Sequence, residues 1–263
     1  MNSKYEYYLI NLDRATDRLE FMQNEFNKQG IQFTRIQAVD AKTLDPKSFK
    51  VKNLYDRDMF PGEFGCYLSH VKTLQTFLES NHDFAVIIED DSIFEDHFKE
   101  IVHKTISKYQ DLPKKHQWDV LKLRNGKRRN IKISDIDQNY FIGACGTSIP
   151  ITTIAAIWTR NGAEKFLKKV VNPIPIIKRP IDCELQHPWE YNLLIYNLLP
   201  SIVKNAEIGT QIQADYSKKK ASFWKQIRYE FNRSIPKCLY LIKQHGFSKF
   251  YQSFIAKKTE RVL

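Results

Sequence analysis

Five consecutive apolar residues, Phe84-Ala85-Val86-Ile87-Ile88, run directly into three acids, Glu89-Asp90-Asp91. An apolar run of that length, bounded by polar residues, predicts a strand buried on both faces. Three carboxylates cannot stay in such an interior without partners, so they mark the strand's carboxyl end. In open α/β sheets that end is where ligands sit. Alternate strand side chains point the same way, so Glu89 and Asp91 share a side unless the following turn rotates Asp90 in. Hard divalent cations favour carboxylate oxygen. The competing reading is a solvated turn in which Asp90 or Asp91 caps a helix. Placement behind a buried strand favours the metal.

The rest of the chain alternates strands and helices. Residues 5–12 read as an opening strand. Residues 14–27 read as a helix with Leu19, Met22 and Phe26 on one face and Gly30 placed to end it. A second strand is expected over 31–39, and a helix over 65–78 with Tyr67, Val71, Leu74 and Leu78 on one face. A helix over 98–109, a short strand at 120–123 and a polar, basic loop over 124–137 follow. A strand over 151–158 then leads into a helix capped by Asn161. This alternation predicts an α/β fold with a largely parallel sheet.

The net charge of +11 is concentrated at the end of the chain: residues 218–263 hold twelve Lys or Arg and two acids. The reading is therefore a body over 1–214 and a basic, aromatic-rich helical extension over 215–263. Lys218-Lys219-Lys220 precedes Phe223, Trp224, Ile227, Tyr229 and Phe231, with Tyr240, Phe247, Phe250, Tyr251 and Phe254 further on. Cations interleaved with aromatics suit a helix lying on anionic lipid. They also suit nucleic-acid phosphates, or a solvated face whose aromatics pack on the body. The membrane reading leads, and nucleic acid is not expected because the body is near neutral. No run approaches the roughly 18 apolar residues that span a bilayer, and the start of the chain lacks a signal-peptide pattern. Cys66, Cys145, Cys183 and Cys238 form no C-x-x-C pair, which predicts reduced structural thiols.

Three further segments carry chemistry. Asn11 to Arg18 joins the first strand to the first helix, the usual place of a nucleotide site. No G-x-G-x-x-G is present, and Arg14 and Arg18 either clamp phosphates or pair with neighbouring acids. In Gly62-Glu63-Phe64-Gly65-Cys66-Tyr67-Leu68-Ser69-His70 two glycines ahead of a helix would let backbone amides approach an anion. His70 taken alone is more often structural. Pro180-Ile181-Asp182-Cys183-Glu184 offers a carboxylate as a general base, or Asp182 as a helix cap.

Together these blocks resemble glycosyltransferase family 25, the lipooligosaccharide galactosyltransferase-like family. The matching residues are Tyr8-Leu9-Ile10-Asn11-Leu12-Asp13-Arg14 with Asp17-Arg18, Ala38-Val39-Asp40, Gly65 to His70 and Ile88-Glu89-Asp90-Asp91. Thr153 to Trp158, Gly162-Ala163 and Pro180-Ile181-Asp182 complete the set. The resemblance implies a GT-A-type, Rossmann-like fold, with a mixed, mostly parallel sheet flanked by helices. It also implies an inverting transfer from a UDP-sugar, commonly UDP-galactose, to a glycolipid or oligosaccharide acceptor of lipooligosaccharide or lipopolysaccharide type. Mn²⁺ or Mg²⁺ would sit on Asp91 and Glu89. The donor would lie against Asn11, Arg14, Arg18, Asp40, Gly65, Ser69, His70 and Asp90. Asp182 is the candidate base, with Glu184 as runner-up. Such an enzyme is expected in the cytoplasm, peripheral on a bacterial inner membrane. The usual glycine-tyrosine pair near Ala155-Ala156 is missing, which leaves the acceptor's identity open.

Overall fold

Residues 84–89 form a central strand with both faces covered. The computed structural model describes residues 3–126, 129–147, 149–206, 223–255 and 261–262, apart from the side chains of Phe254, Arg261 and Val262. The first half runs β1 (Tyr5–Asn11), α1 (Thr16–Lys28), β2 (Thr34–Gln37), β3 (Lys50–Val51), α2 (Pro61–Glu79), β4 (Phe84–Glu89), β5 (Ser92–Phe94) and α3 (Phe98–Lys108). Then come β6 (Val120–Lys122), β7 (Asn130–Asp135), β8 (Phe141–Cys145), β9 (Ala155–Thr159), α4 (Arg160–Val170), β10 (Ile176–Ile177), α5 (Ile181–Glu184) and α6 (Pro188–Tyr191). The chain ends with β11 (Ile195–Leu199), β12 (Val203–Asn205), α7 (Phe223–His245), α8 (Phe247–Ile255) and β13 (Arg261–Val262).

Among the described residues a nine-stranded sheet has the order β13-β7-β8-β11-β6-β9-β4-β1-β2. It is an α/β fold with helices on both faces. The alternation of β4 divides its side chains between two cores. Phe84, Val86 and Ile88 join Tyr7 and Leu9 against α1 and α3, through Met22, Phe26, Phe98 and Ile101. Ala85 and Ile87 join Tyr8 and Ile10 against α2 and α4, through Tyr67, Leu74, Phe77 and Phe166. Leu241 of α7 and Phe250 of α8 belong to that second core.

Parallel pairing links β2, β1 and β4. β9 then enters antiparallel between β4 and β6, and β8 pairs antiparallel with both β11 and β7. The sheet is therefore more evenly mixed than strand-helix alternation alone suggests. Because β9 is flanked by antiparallel pairings on both sides, β6 runs in the same direction as β4. The carboxyl ends of β1, β2, β4 and β6 thus open on one edge, and the segment 151–154 that feeds β9 arrives there too.

Several local expectations are corrected. The segment expected as a loop over 124–137 contains β7, paired to β8 with a register shift between Lys132 and Ser134; interleaved charges hide its alternation. Thr159, not Asn161, caps α4: its Oγ1 accepts from the Gly162 N–H at 3.0 Å. Asn161 instead donates to the buried Asp119 at 2.8 Å. α2 begins at Pro61, so Gly62 and Gly65 lie inside the helix rather than ahead of it. Pro at the first helical position suits a helix start, and Glu63 accepts from the Phe60 N–H at 2.7 Å. At the other end, the Arg160 guanidinium donates to the carbonyls of Leu78, Ser80 and His82, satisfying groups that a helix terminus leaves open.

Gly65 serves close packing. A Cβ there would fall 2.6 Å from the Val39 carbonyl oxygen, so α2 lies directly on the 38–41 segment. Gly65→Ala is expected to destabilise the protein by about 1–3 kcal/mol through overpacking against backbone. Urea denaturation should show a lowered midpoint at unchanged slope.

Candidate functional site

The register of β1 and β4 builds the site. Ile10 pairs with Glu89, so Asn11 stands beside Asp90 one step on. The Asn11 side-chain amide donates to Asp90 Oδ2 at 2.8 Å and to the Ala15 carbonyl at 3.1 Å. Arg18, buried in the first turns of α1, donates to Asp90 Oδ1 at 2.9 Å. Both oxygens of Asp90 are thus held by the strand-to-helix junction. Asp90 acts as the tether of this turn, and its two neighbours are left to face the opening.

Glu89 turns toward α2. Its Oε1 lies 3.0 Å from His70 Nε2. Burial works against this carboxylate, but the His70 hydrogen bond and charge, then the Thr153 hydroxyl, outweigh it and lower its pKa. At Asp91 the Arg18 charge and a backbone N–H favour the ionised form but do not outweigh what opposes it. Its Oδ1 is buried without a hydrogen-bond partner among the described residues. Burial first, and then the charges of Glu89 and Asp90, push its pKa up to about 6.

These groups line a cleft of about 590 Å³, a volume typical of small-molecule sites. Of the residues singled out from the sequence, the cleft gathers Asn11, Arg14, Arg18, Asp40, Ser69, His70, Glu89, Asp90, Asp91 and Asp182. Arg14 pairs with Asp40, whose Oδ1 also accepts from the Lys42 N–H at 2.9 Å. Ser69 shapes the wall: its Oγ accepts from the Val39 N–H at 2.8 Å and donates to the Gly65 carbonyl at 2.7 Å. Asp182, in the first turn of α5, accepts from the Cys183 N–H at 2.7 Å. Burial raises its pKa.

Two residues fall off the wall. Gly65 lies against Val39, as described. Glu184 is fully buried: Arg179 donates to its Oε1 at 2.8 Å, and the Tyr191 hydroxyl donates to the same oxygen. That network anchors α5 and leaves Glu184 no access to the cleft, so the runner-up base is set aside on position. The glycine-before-helix anion site is likewise replaced by a helix whose fifth residue is Gly65.

Sequence reasoning missed Lys122. It ends β6, is 1% exposed, and donates to the carbonyls of Pro150 and Thr152 at 2.6 and 2.8 Å. It thereby holds the 150–154 segment, which lines the cleft beside Glu89. Burial lowers its pKa to about 8, although the nearby Asp182 carboxylate opposes the shift. The available signal was a lysine inside the apolar run Val120-Leu121-Lys122-Leu123. Arg124 and Lys42 also line the cleft.

A divalent cation fits this donor set. Asp91 offers an unpartnered carboxylate oxygen, and Glu89 lies beside it. The ligand atoms of Cys66, His70 and Glu89 all lie within 4.8 Å of one another. All four cysteines are free thiols.

Residues 4–183 match the family model described as glycosyltransferase family 25 (LPS biosynthesis protein). The chain is similar to a glycosyltransferase 25 family member of Aedes aegypti, with 26% identity over 74% of this chain and 35% of that protein. It is 29% identical to procollagen galactosyltransferase 2 of Mus musculus, over 48% of this chain and 21% of that protein. It therefore spans a minor part of the length of these curated relatives. Among solved structures, a mutant Drosophila galactosyltransferase 7 in complex with manganese, UDP-Gal and xylobiose aligns over 85% of this chain and 79% of that one. The identity is 12% and the TM-score 0.38.

Because the folded protein disfavours the Lys122 charge, the unfolded chain binds more protons between pH about 8 and the ordinary lysine value of 10.5. Stability contributed at this site is expected to rise with pH through that window. Lys122→Met should flatten the rise, as read from the difference between wild-type and variant denaturation midpoints across the pH series.

Proposed function

The chain belongs to glycosyltransferase family 25, and on that footing we propose that it transfers galactose from UDP-galactose to a hydroxyl of a glycan acceptor, with inversion at the anomeric carbon. The observation that carries this reading is the buried, unpartnered Asp91 oxygen at the end of β4. It lies in a cleft lined by Arg14, Lys42 and Arg124. A carboxylate oxygen without a hydrogen-bond partner, in a cleft that cations line, suits a site shared by a metal ion and a diphosphate. The galactosyltransferase relatives support galactose as the sugar. A GT-A-type arrangement is in keeping with the mixed sheet and the position of the cleft at its carboxyl edge.

Asp91 and Glu89 would hold Mn²⁺ or Mg²⁺, which when bound neutralises charge on the departing diphosphate. The protein's own groups do the rest. Asn11 and Arg18 fix Asp90, so the turn stays in place as ligands come and go. His70 orients Glu89. Lys122 holds the 150–154 wall through two carbonyls. Lys42 and Arg124, on the lining of the cleft, would offer positive charge to the departing diphosphate. Asp182 is the proposed base: its carboxylate takes the proton of the acceptor hydroxyl as oxygen attacks the anomeric carbon. Burial raises its pKa, which strengthens it as a proton acceptor once ionised.

Two variants separate these roles. Asp182→Asn is expected to lower kcat by about a hundredfold or more while UDP with Mn²⁺ still raises the melting temperature. Near-wild-type transfer by the folded variant would remove Asp182 from the role. Asp91→Asn should abolish the thermal stabilisation by UDP with Mn²⁺ and transfer together. A panel of UDP-sugars, read by UDP release with a glycan acceptor, tests the donor. Preference for another sugar would replace galactose, and no turnover with any of them would overturn the reading.

A further inference from the structure

We propose that α7 and α8 form a docking surface for an anionic lipid bilayer, lying in the membrane interface with their outer faces down. The two helices are two-faced. On the inner face, Tyr229 is buried with its ring 5.5 Å from that of Tyr55, Arg233 donates to Gln186 at 2.8 Å, and the Tyr240 hydroxyl donates to the Leu193 carbonyl at 3.0 Å. The outer face is the reverse of what water favours. Trp224, Ile227, Phe231, Ile235 and Leu239 recur at three- and four-residue spacing. Trp224 is 75% exposed, Phe231 66% and Leu239 63%. On α8, Phe247, Tyr251 and Ile255 repeat every fourth residue and are exposed as well. Elsewhere in the described residues the large exposed apolar side chains are scattered singles, namely Val51, Leu54, Ile93 and Ile151. A continuous apolar stripe of this kind marks an interaction surface.

Charge selects the occupant. Exposed Lys225, Arg228, Lys243 and Lys249 lie on the same two helices. The acid of α7 is Glu230, which pairs with Arg233. An apolar stripe with a basic surround suits anionic headgroups over acyl chains. A second copy of this face would set cation against cation. Nucleic acid would leave Ile227, Ile235, Leu239 and Ile255 of the stripe facing water, since aliphatic side chains offer bases no ring to stack on. No described helix is long and apolar enough to cross a membrane, so the contact would be peripheral. Lys218, Lys219, Lys220, Lys257 and Lys258, singled out in the sequence, lie outside the described residues.

The surface bears on the cleft. The inner face of α7 rests on the segment holding α5 and α6, where the His187 and Tyr229 rings are 5.8 Å apart, and α5 carries Asp182. A bilayer under α7 would thus bring a lipid-linked glycan toward the Asp182 side. This extends the proposed function to a membrane-borne acceptor. The two fail separately: vesicle binding is measured without donor, and transfer to a soluble acceptor without lipid.

The test uses the full chain with vesicles of phosphatidylcholine alone or mixed with phosphatidylglycerol, read by co-sedimentation. The wild type should bind the mixed vesicles, with a blue shift of tryptophan emission and loss of binding as salt rises. Neutral vesicles should bind about tenfold more weakly or worse. Trp224→Ser/Phe231→Ser/Ile235→Ser changes only exposed positions and should lose binding to a similar degree, with helix content and soluble-acceptor transfer kept. Binding unchanged in that variant, binding indifferent to lipid charge, or no binding at all would overturn the proposal. So would a wild-type dimer in sedimentation velocity that the triple variant turns into a monomer, since the face would then belong to a second copy.

Discussion

The Asn11–Asp90–Arg18 tie is the contact on which the site depends. It joins the end of β1 and the first turns of α1, neighbours in sequence, to the turn after β4, more than seventy residues on. Arg18 and Asp90 are both largely buried. Removing one partner of a buried pair leaves a charge without compensation, at a cost of roughly 3–5 kcal/mol. With Asp90 so held, the turn cannot relax by swinging its acids into solvent. Of three adjacent carboxylates, one is matched by Arg18 and one by His70. The third, Asp91, has its pKa raised by burial first and then by its neighbours' charges, and its Oδ1 has no hydrogen-bond partner among the described residues. That open oxygen is what a cation would meet.

α2 is the second organiser. One helix supplies the close contact at Gly65, the Ser69 hydroxyl that holds Val39, the Cys66 thiol and the His70 ring. Residues three or four apart share a helical face, so the 65–70 segment can press on the 38–41 wall and still reach Glu89. Its ends are tied by different means. Arg57 grips Glu63 through its two terminal guanidinium nitrogens, at 2.9 and 2.6 Å, and Arg160 closes the last turn. A helix fixed at both ends gives His70 a constant position under Glu89. The Lys122 ammonium fixes the facing wall in the same manner, through carbonyls.

The helices at the end of the chain obey a different logic. Their inner residues complete the second core, while their outer residues are apolar where a water-facing helix would be polar. The sequence shows only that cations and aromatics alternate. Which aromatics point outward depends on where α7 lands, and it lands through Tyr229, Arg233, Tyr240 and Leu241.

The buried strand at 84–88, the acids at its end, the helix after β1 and the family to which the chain belongs could all be read from the sequence. Each rests on local pattern: apolar run length, helical period and ordered motif blocks. The division of labour among Glu89, Asp90 and Asp91 could not be read that way. It follows from the β1–β4 register, which brings Asn11 and Arg18 to one acid and His70 to another. Glu184 was equally opaque, because its partners Arg179 and Tyr191 lie on either side of a short helix whose direction the sequence does not state. Lys122 and β7 were hidden because charge in a strand reads as exposure until the neighbouring strands are known. Local sequence determines which segments are strands, helices and reactive blocks. Which carboxylate is tied, which is shared and which is left open is decided by tertiary pairing, since burial and partner charge exist only once distant segments meet.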